Sequence, residues 1–167
     1  MRALILIGPP GAGKTTVLIA LMDLLTEADV RFTAVEVERL ALVNPGPDDD
    51  AAFAHLQVLA RSFGARGYPL LLVAATVASP DYLRRVLDAV NSDDPFVVRL
   101  DAAPPVLRER IERREPPEWS GLQRLLDAAS ALAAMHANLT GVDLVLSTEN
   151  ASPRTVAAAI QDALSQR

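Results

Sequence analysis

The chain has no cysteine in 167 residues. Disulfides and thiolate metal sites are therefore excluded, which suits an intracellular protein. Positive charge is in deficit: 16 basic against 21 acidic residues leave a net charge of −5, which argues against a general nucleic-acid or anionic-membrane surface. No segment reaches the roughly 18 apolar residues of a membrane span. The apolar start, Ala3 to Ile7, is too short for the core of a signal peptide and runs straight into a glycine loop. The expectation is a cytoplasmic protein with neither nucleic acid nor membrane as a partner. Lysine is nearly absent too: Lys14 stands alone against 15 arginines.

What is present reads as one domain. Half of the residues are hydrophobic and the mean hydropathy is positive, a composition that packs a core. No internal repeat, low-complexity linker or domain boundary interrupts residues 1–167.

The most informative stretch surrounds the single lysine. The apolar run Ala3-Leu4-Ile5-Leu6-Ile7 leads into Gly8-Pro9-Pro10-Gly11-Ala12-Gly13-Lys14-Thr15-Thr16, and the apolar Val17-Leu18-Ile19-Ala20-Leu21-Met22 follows. Strand, glycine loop, helix is the context in which the spacing G-x-x-x-x-G-K-T marks a phosphate-binding loop. Glycines let backbone N–H groups turn inward around phosphate oxygens, where a side chain would block the approach. A helix starting at Gly13 or Lys14 adds its positive dipole end and unpaired N–H groups. Lys14 carries a point charge to the β/γ-phosphates and Thr15 offers a hydroxyl to Mg²⁺. In a chain that otherwise uses arginine, lysine stands where a compact ammonium differs from a guanidinium.

Four more apolar runs follow, separated by helical segments. Val30 to Glu38 alternates as a second strand with Glu36 and Glu38 on one side of its carboxyl end. Asp48-Asp49-Asp50 caps a helix of about 14 residues ending near Phe63-Gly64. Tyr68 to Thr76 is a continuous apolar strand, and Ser79-Pro80-Asp81 opens a helix to about Asn91. Pro95 to Leu100 is strand four; Pro104-Pro105 starts a charged helix from Val106 to Glu115, stopped by Pro116-Pro117. A helix over Ser120 to Ala137, a strand over Val142 to Leu146 and a helix from Ser152-Pro153 to about Leu164 complete the chain. The alternation predicts a three-layer α/β P-loop NTPase fold, a five-stranded parallel sheet with helices on both faces. Ligands are then expected beyond the carboxyl ends of the strands.

Three absences narrow the nucleotide chemistry. With Lys14 in the phosphate loop, no lysine remains for an Asn-Lys-x-Asp guanine reader. Trp119-Ser120-Gly121-Leu122-Gln123 lacks the second glycine of a transporter signature. The run Leu71-Leu72-Val73-Ala74-Ala75-Thr76 ends without the acidic pair of oligomeric ATPase motors. What remains resembles the P-loop small-molecule kinases related to nucleoside monophosphate kinases, including chloramphenicol phosphotransferase-like, gluconate and shikimate kinases. Three places carry the resemblance: the phosphate loop, Val98 to Glu115, and Val142 to Thr148 with Ser152 to Ala157.

The resemblance implies an ATP-dependent kinase that moves the γ-phosphoryl of Mg·ATP to a hydroxyl or phosphate of an unidentified small molecule. It implies a short lid around residues 108–120. Arg110 and Arg114, four apart on one helix face, would pack on adenine and reach the triphosphate, a task suited to guanidinium. Thr148 falls in the segment similar to the adenine loop. Glu36 or Glu38 would act as base, or Glu36 would hold Mg²⁺ through water. Arg39 binds an anionic acceptor or pairs with Glu36; Arg108 and Arg113 read as a solvated helix face. His55 and His136 have no metal-ligand company. Leu40, Leu42, Val43 and Phe53 suggest an apolar acceptor site. The chain departs from many of the kinases it resembles in lacking an Asp at the end of strand three, where Thr76 or Ser79 could hydrogen-bond in its place without supplying charge. That keeps open an ATP-binding switch or slow NTPase without a small-molecule acceptor. The expected assembly is a monomer or homodimer.

Overall fold

A computed structural model describes all residues, Met1 to Arg167. Five parallel strands form one sheet in the order β2-β3-β1-β4-β5: β1 (Arg2–Ile7), β2 (Phe32–Glu36), β3 (Leu70–Ala75), β4 (Pro95–Asp101) and β5 (Leu144–Ser147). Six α-helices connect and flank them: α1 (Lys14–Glu27), α2 (Asp49–Ala65), α3 (Pro80–Val90), α4 (Pro104–Arg114), α5 (Leu122–His136) and α6 (Pro153–Ser165). The expected three-layer P-loop architecture is the observed one.

The layers follow from strand alternation, because successive side chains point to opposite faces. Ala3, Ile5 and Ile7 of β1 and Leu71, Val73 and Ala75 of β3 join one core with α2 and α3. Leu4 and Leu6, with Leu70, Leu72 and Ala74, join the other with α1 and α6. Both faces are covered, which is why these strands are apolar without a break. The edge strand β5 is different: Val145 is 46 % exposed, so the buried strand expected there has one bare face.

Local chemistry places the helix starts. Asp48 Oδ1 accepts from Ala51 N at 2.9 Å, Ser79 Oγ from Tyr82 N at 3.1 Å and Ser152 Oγ from Thr155 N at 3.1 Å, satisfying N–H groups that a first turn leaves free. Pro80 and Pro153 sit in the first turns of their helices, where no N–H is needed.

Several boundaries differ from the sequence reading. Helix α2 has 17 residues rather than about 14, because Gly64 lies inside it. The left-handed turn comes at Gly67, with φ 73°. Helix α5 is shorter at both ends than the expected Ser120–Ala137. Strand β2 stops at Glu36, the last residue paired with β3, and Val37–Arg39 form a 3-10 turn that buries Val37. Glu38 therefore lies on that turn, and strand alternation does not set its direction.

Gly64 and Gly11 make a contrasting pair. A Cβ on Gly64 meets nothing within 4 Å, so Gly64→Ala is expected to stabilise by up to about 1 kcal/mol through helix propensity. At Gly11, φ is +84° and a Cβ would lie 2.8 Å from the Leu107 carbonyl oxygen; Gly11→Ala is expected to cost about 2 kcal/mol or more. Chemical denaturation midpoints check both.

Candidate active site

The sheet order puts β1 between β3 and β4, so the loop leaving β1 opens at the carboxyl edge of the sheet, where flanking connections diverge. Gly8 to Gly13 form that loop. Gly13 holds the N-cap position of α1 with φ 88°, a left-handed conformation that glycine adopts without penalty. The first turn of α1 contains no acidic side chain, leaving its positive end uncompensated. The missing Cβ at Gly11 relieves a clash with Leu107 and Ile111 of α4, so this glycine serves the packing of loop on helix.

Lys14 curls back over the loop. Its Nζ donates to the Gly8 carbonyl at 2.9 Å and to the Pro9 carbonyl at 3.3 Å. Burial lowers its pKa from 10.5 to about 8, with Arg114 acting in the same direction and Glu38 and Glu36 opposing. The ammonium is thus sparingly hydrated, close to its own neutralisation, and backed by only two internal carbonyls.

A cavity of 330 Å³ lies on one side of the loop, bordered by Lys14, Thr15, Glu36, Glu38, Arg39 and Thr76 among others. Thr15 Oγ1 donates to Glu36 Oε1, and Arg39 pairs with the other oxygen of Glu36. Because the Thr15 hydroxyl spends its hydrogen on Glu36, its lone pairs remain for an electrophile such as a cation. Glu38 accepts from the backbone N–H of Thr76. The two carboxylates border one cavity, but from a strand end and a 3-10 turn rather than from the two same-side positions of one strand that the sequence led us to expect.

The apolar acceptor site expected from Leu40, Leu42, Val43 and Phe53 is not found. Phe53 is in the core, Leu40 packs against that core, and Leu42 and Val43 are exposed, at 82 % and 48 %. The helix amphipathicity of α2 turns Phe53 inward against Tyr82, with ring centroids 4.8 Å apart. The cavity is instead mostly polar, and its apolar members are Ala74 and Leu125. Leu125 belongs to α5 and arrives only because α5 packs back on α4. No signal in the sequence marks it.

A second cavity, 360 Å³, lies on the other side of the loop and shares Gly11, Gly13, Thr16 and Arg114 with the first. The two form one cleft with the phosphate loop as its floor. Arg110 and Arg114 both border this second half, but in different ways. Arg110 donates to Thr148 Oγ1 at 2.8 Å, to the Thr148 carbonyl at 2.6 Å and to the Gly11 carbonyl at 3.2 Å. Buried Thr148 in turn donates to the Ala12 carbonyl at 3.1 Å. One guanidinium thus ties α4, the loop after β5 and the phosphate loop together. Arg114 is exposed and held only by its neighbour Glu115, Nε to Oε1 2.7 Å. Arg113 also borders the cavity, beyond its pairing with Glu109 at 3.7 Å; the solvated reading of that residue is incomplete. Arg108 pairs with Glu112 at 3.1 Å on the helix surface, as expected.

The histidines lie outside the cleft. His55 Nδ1 is 2.7 Å from the Leu40 carbonyl oxygen on the exposed side of α2. His136 is fully buried at the end of α5, its Nε2 2.7 Å from the Val77 carbonyl oxygen. No group of three or more His, Asp or Glu side chains converges anywhere in the chain, and no helix is long and apolar enough to cross a membrane.

Comparison with solved structures gives the fold a setting. Shikimate kinase from Acinetobacter baumannii in complex with shikimate superposes with a TM-score of 0.60 at 20 % identity, covering 99 % of this chain and 94 % of that one. The APS kinase of Mycobacterium tuberculosis, in complex with AMPPNP and APS, gives 0.63 at 20 % identity, covering 98 % and 97 %. The tunicamycin resistance protein of Deinococcus radiodurans gives 0.64 at 18 % identity, covering 98 % and 96 %. At these identities the likeness is one of fold, and the fold is that of the P-loop small-molecule kinases. No curated protein matches the sequence significantly. A family model does: the AAA domain matches residues 4–141, from β1 to the approach to β5, including the phosphate loop, Glu36, Glu38 and the arginines that border the cleft. The chain therefore belongs to that AAA domain family and carries the P-loop small-molecule kinase fold.

Proposed function

We propose that this protein is an ATP-dependent kinase that moves the γ-phosphoryl of Mg·ATP to a hydroxyl or phosphate of a small molecule. The observation that carries the proposal is the single cleft in which a phosphate loop separates two unlike halves. One half, between Arg110, Thr148, Ala151 and Pro153, has the apolar slot and guanidinium face that suit a base. The other presents two carboxylates, Arg39 and Thr76 to whatever lies across the loop. The nearby folds named for shikimate, APS and sugar as substrates support a small acceptor.

The residues fit the cofactor. With no three-ligand protein cluster, Mg²⁺ would be held by Thr15 and by nucleotide and water oxygens, with Glu36 acting through water, as is usual for a cation that keeps its hydration. When bound, Mg·ATP supplies the phosphoryl group and the cation neutralises charge on it. Lys14 and the loop N–H groups of Gly11 to Thr16 oppose the remaining charge. Arg110 holds its loop and offers a planar face to the base, while Arg114 is free to swing onto phosphate from the lid segment after α4. Glu38, oriented by Thr76 N–H, is the stronger candidate to accept a proton from the acceptor, because Glu36 is already engaged by Thr15 and Arg39. The cavity's mixed charge, two carboxylates against Arg39, Arg114 and Lys14, leaves one positive charge in excess and suits a polar acceptor. A cytoplasmic location, where ATP and Mg²⁺ are abundant, belongs to the same proposal.

A second reading has one observation behind it: β3 runs out in Ala74-Ala75-Thr76 with no acid. A nucleotide-dependent switch or slow NTPase would tolerate that. A screen of hydroxyl compounds (nucleosides, sugars, antibiotics) for stimulated ADP release separates the two. The kinase reading expects at least one compound class to stimulate turnover by ~10²-fold or more, the contribution of a positioned acceptor and base. Unstimulated turnover across all classes would favour the switch.

A further inference from the structure

We infer that His136 is a positioning residue for the acceptor-side carboxylate: through the Val77 carbonyl it fixes the β3–α3 turn whose Thr76 N–H holds Glu38. The inference rests on the proposed function only in assigning Glu38 to the acceptor; the contacts themselves do not depend on it.

His136 ends α5 and has no exposed surface. A carbonyl oxygen can only accept, so Nε2, 2.7 Å from Val77 O, carries the ring hydrogen. That leaves Nδ1 as a buried lone pair, and it has no partner. An apolar side chain of the same size would fill this space without stranding a nitrogen. What the imidazole adds here is its grip on Val77.

That grip falls at a sensitive place. Only Thr76, Val77, Ala78 and Ser79 join the end of β3 to the start of α3. Thr76 donates its N–H to Glu38, Val77 is fully buried, and Ser79 caps α3. The Val77 side chain is packed in the core, and the bond from His136 adds a hold on the carbonyl of the following peptide; without it the Val77–Ala78 peptide loses that anchor, and the Thr76 N–H, one residue upstream, is held less firmly. His136 is itself braced from behind. Arg99 of β4 donates to the His136 carbonyl and forks onto Asp101 with two contacts of 2.9 Å. A continuous line thus runs from β4 through the end of α5 and the β3–α3 turn to the carboxylate in the cleft.

The electrostatics agree with a neutral ring. Burial lowers the pKa of His136 below 6.5; Lys14 and Arg99 push the same way, and the Val77 hydrogen bond and Asp101 push against it. A group lowered in the folded state contributes stability that is present above its unfolded value of 6.5 and lost as pH falls through the lowered one. Protonation would put an N–H at Nδ1 with no acceptor to receive it.

The test uses hydrogen exchange and NMR, without an acceptor. In His136→Met, exchange at the Thr76 amide is expected to accelerate at least about tenfold relative to Val73 in the middle of β3, a local opening rather than a global one. His136→Gln, whose side-chain amide can still donate to Val77, is expected to restore protection, and Mg·ATP affinity is expected to stay within about twofold in both. Equal acceleration at Thr76 and Val73, or a Gln variant no better than Met, would mean that the histidine merely fills space. Should His136→Met not fold, the wild-type ring decides: ¹⁵N shifts are expected to report the Nε2–H tautomer at neutral pH, and an Nδ1–H tautomer or an imidazolium overturns the inference. None of these outcomes depends on phosphoryl transfer, so failure of the kinase reading would show separately, in the compound screen.

Discussion

Lys14→Met is expected to abolish Mg·ATP-dependent phosphoryl transfer, by at least about 10³-fold in kcat, and at the same time to raise the melting temperature. The two effects share one cause. The ammonium is kept in a poorly hydrated place, which lowers its pKa from 10.5 to about 8. Holding it charged at neutral pH costs on the order of 2–3 kcal/mol after allowing for its partly open side. Methionine removes that cost and forfeits the hydrogen bonds to the Gly8 and Pro9 carbonyls, together worth about 1–1.5 kcal/mol because the second is long. The net gain is roughly 0.5–2 kcal/mol, or ~1–8 °C for a chain of this size. The sign with pH is definite. Between about 8 and 10.5 the unfolded chain holds the Lys14 proton and the folded one does not, so wild-type stability from this group rises with pH across that window. The advantage of methionine is therefore full below about pH 8 and fades toward pH 10.5. Thermal melts of both proteins at neutral and alkaline pH, beside a transfer assay, check all three statements. A variant that lost activity and stability together would contradict the account of Lys14 as a strained functional group.

Arg110→Ala carries the next largest effect. It deletes three contacts that join α4, Thr148 and the phosphate loop and leaves the Thr148 and Gly11 carbonyls without this donor. The expected stability loss is about 1–3 kcal/mol. Mg·ATP affinity is expected to fall by ~10–100-fold, since both the guanidinium proposed to face the base and the loop geometry are disturbed. Arg110→Lys is expected to recover little, because one ammonium cannot fork between the hydroxyl and the carbonyl of Thr148. Arg113→Ala, on the same helix, is expected to change stability by no more than about 0.5 kcal/mol, as its only ion pair is an exposed one of 3.7 Å. Calorimetric titration with the nucleotide, alongside denaturant melts, separates binding from folding.

These contrasts show what kind of information each level holds. The phosphate loop was legible because its chemistry is written in consecutive residues: strand, glycines, lysine and threonine lie within one turn of chain. The doubly covered sheet was legible because unbroken apolar runs in β1 and β3 leave no face for water. The helix starts at Asp48, Ser79 and Ser152 were legible for the same local reason, a side-chain oxygen answering a nearby N–H. Readings that needed distance fared differently. Phe53 was placed near the acceptor by its position in sequence, and the face of α2 on which it lies sent it into the core. Glu38 reached the cavity, but through a 3-10 turn that strand alternation does not foresee.

By itself, then, the sequence determined that Gly8 to Thr16 carry the pattern of a phosphate-binding loop, that the chain's one lysine stands in it, and that a parallel sheet with covered faces presents it. Local spacing and hydrophobic periodicity are enough for that. Only the tertiary structure decided that Glu36 serves Thr15 while Glu38 is held by Thr76, that Arg110 is a brace while Arg114 is held only by Glu115, that Leu125 enters the cleft, and that a histidine 59 residues away reaches the Val77 carbonyl. The reason is physical: each of these depends on a partner brought from a distant segment by strand order and helix packing, and neither is encoded in the residues' own neighbourhood.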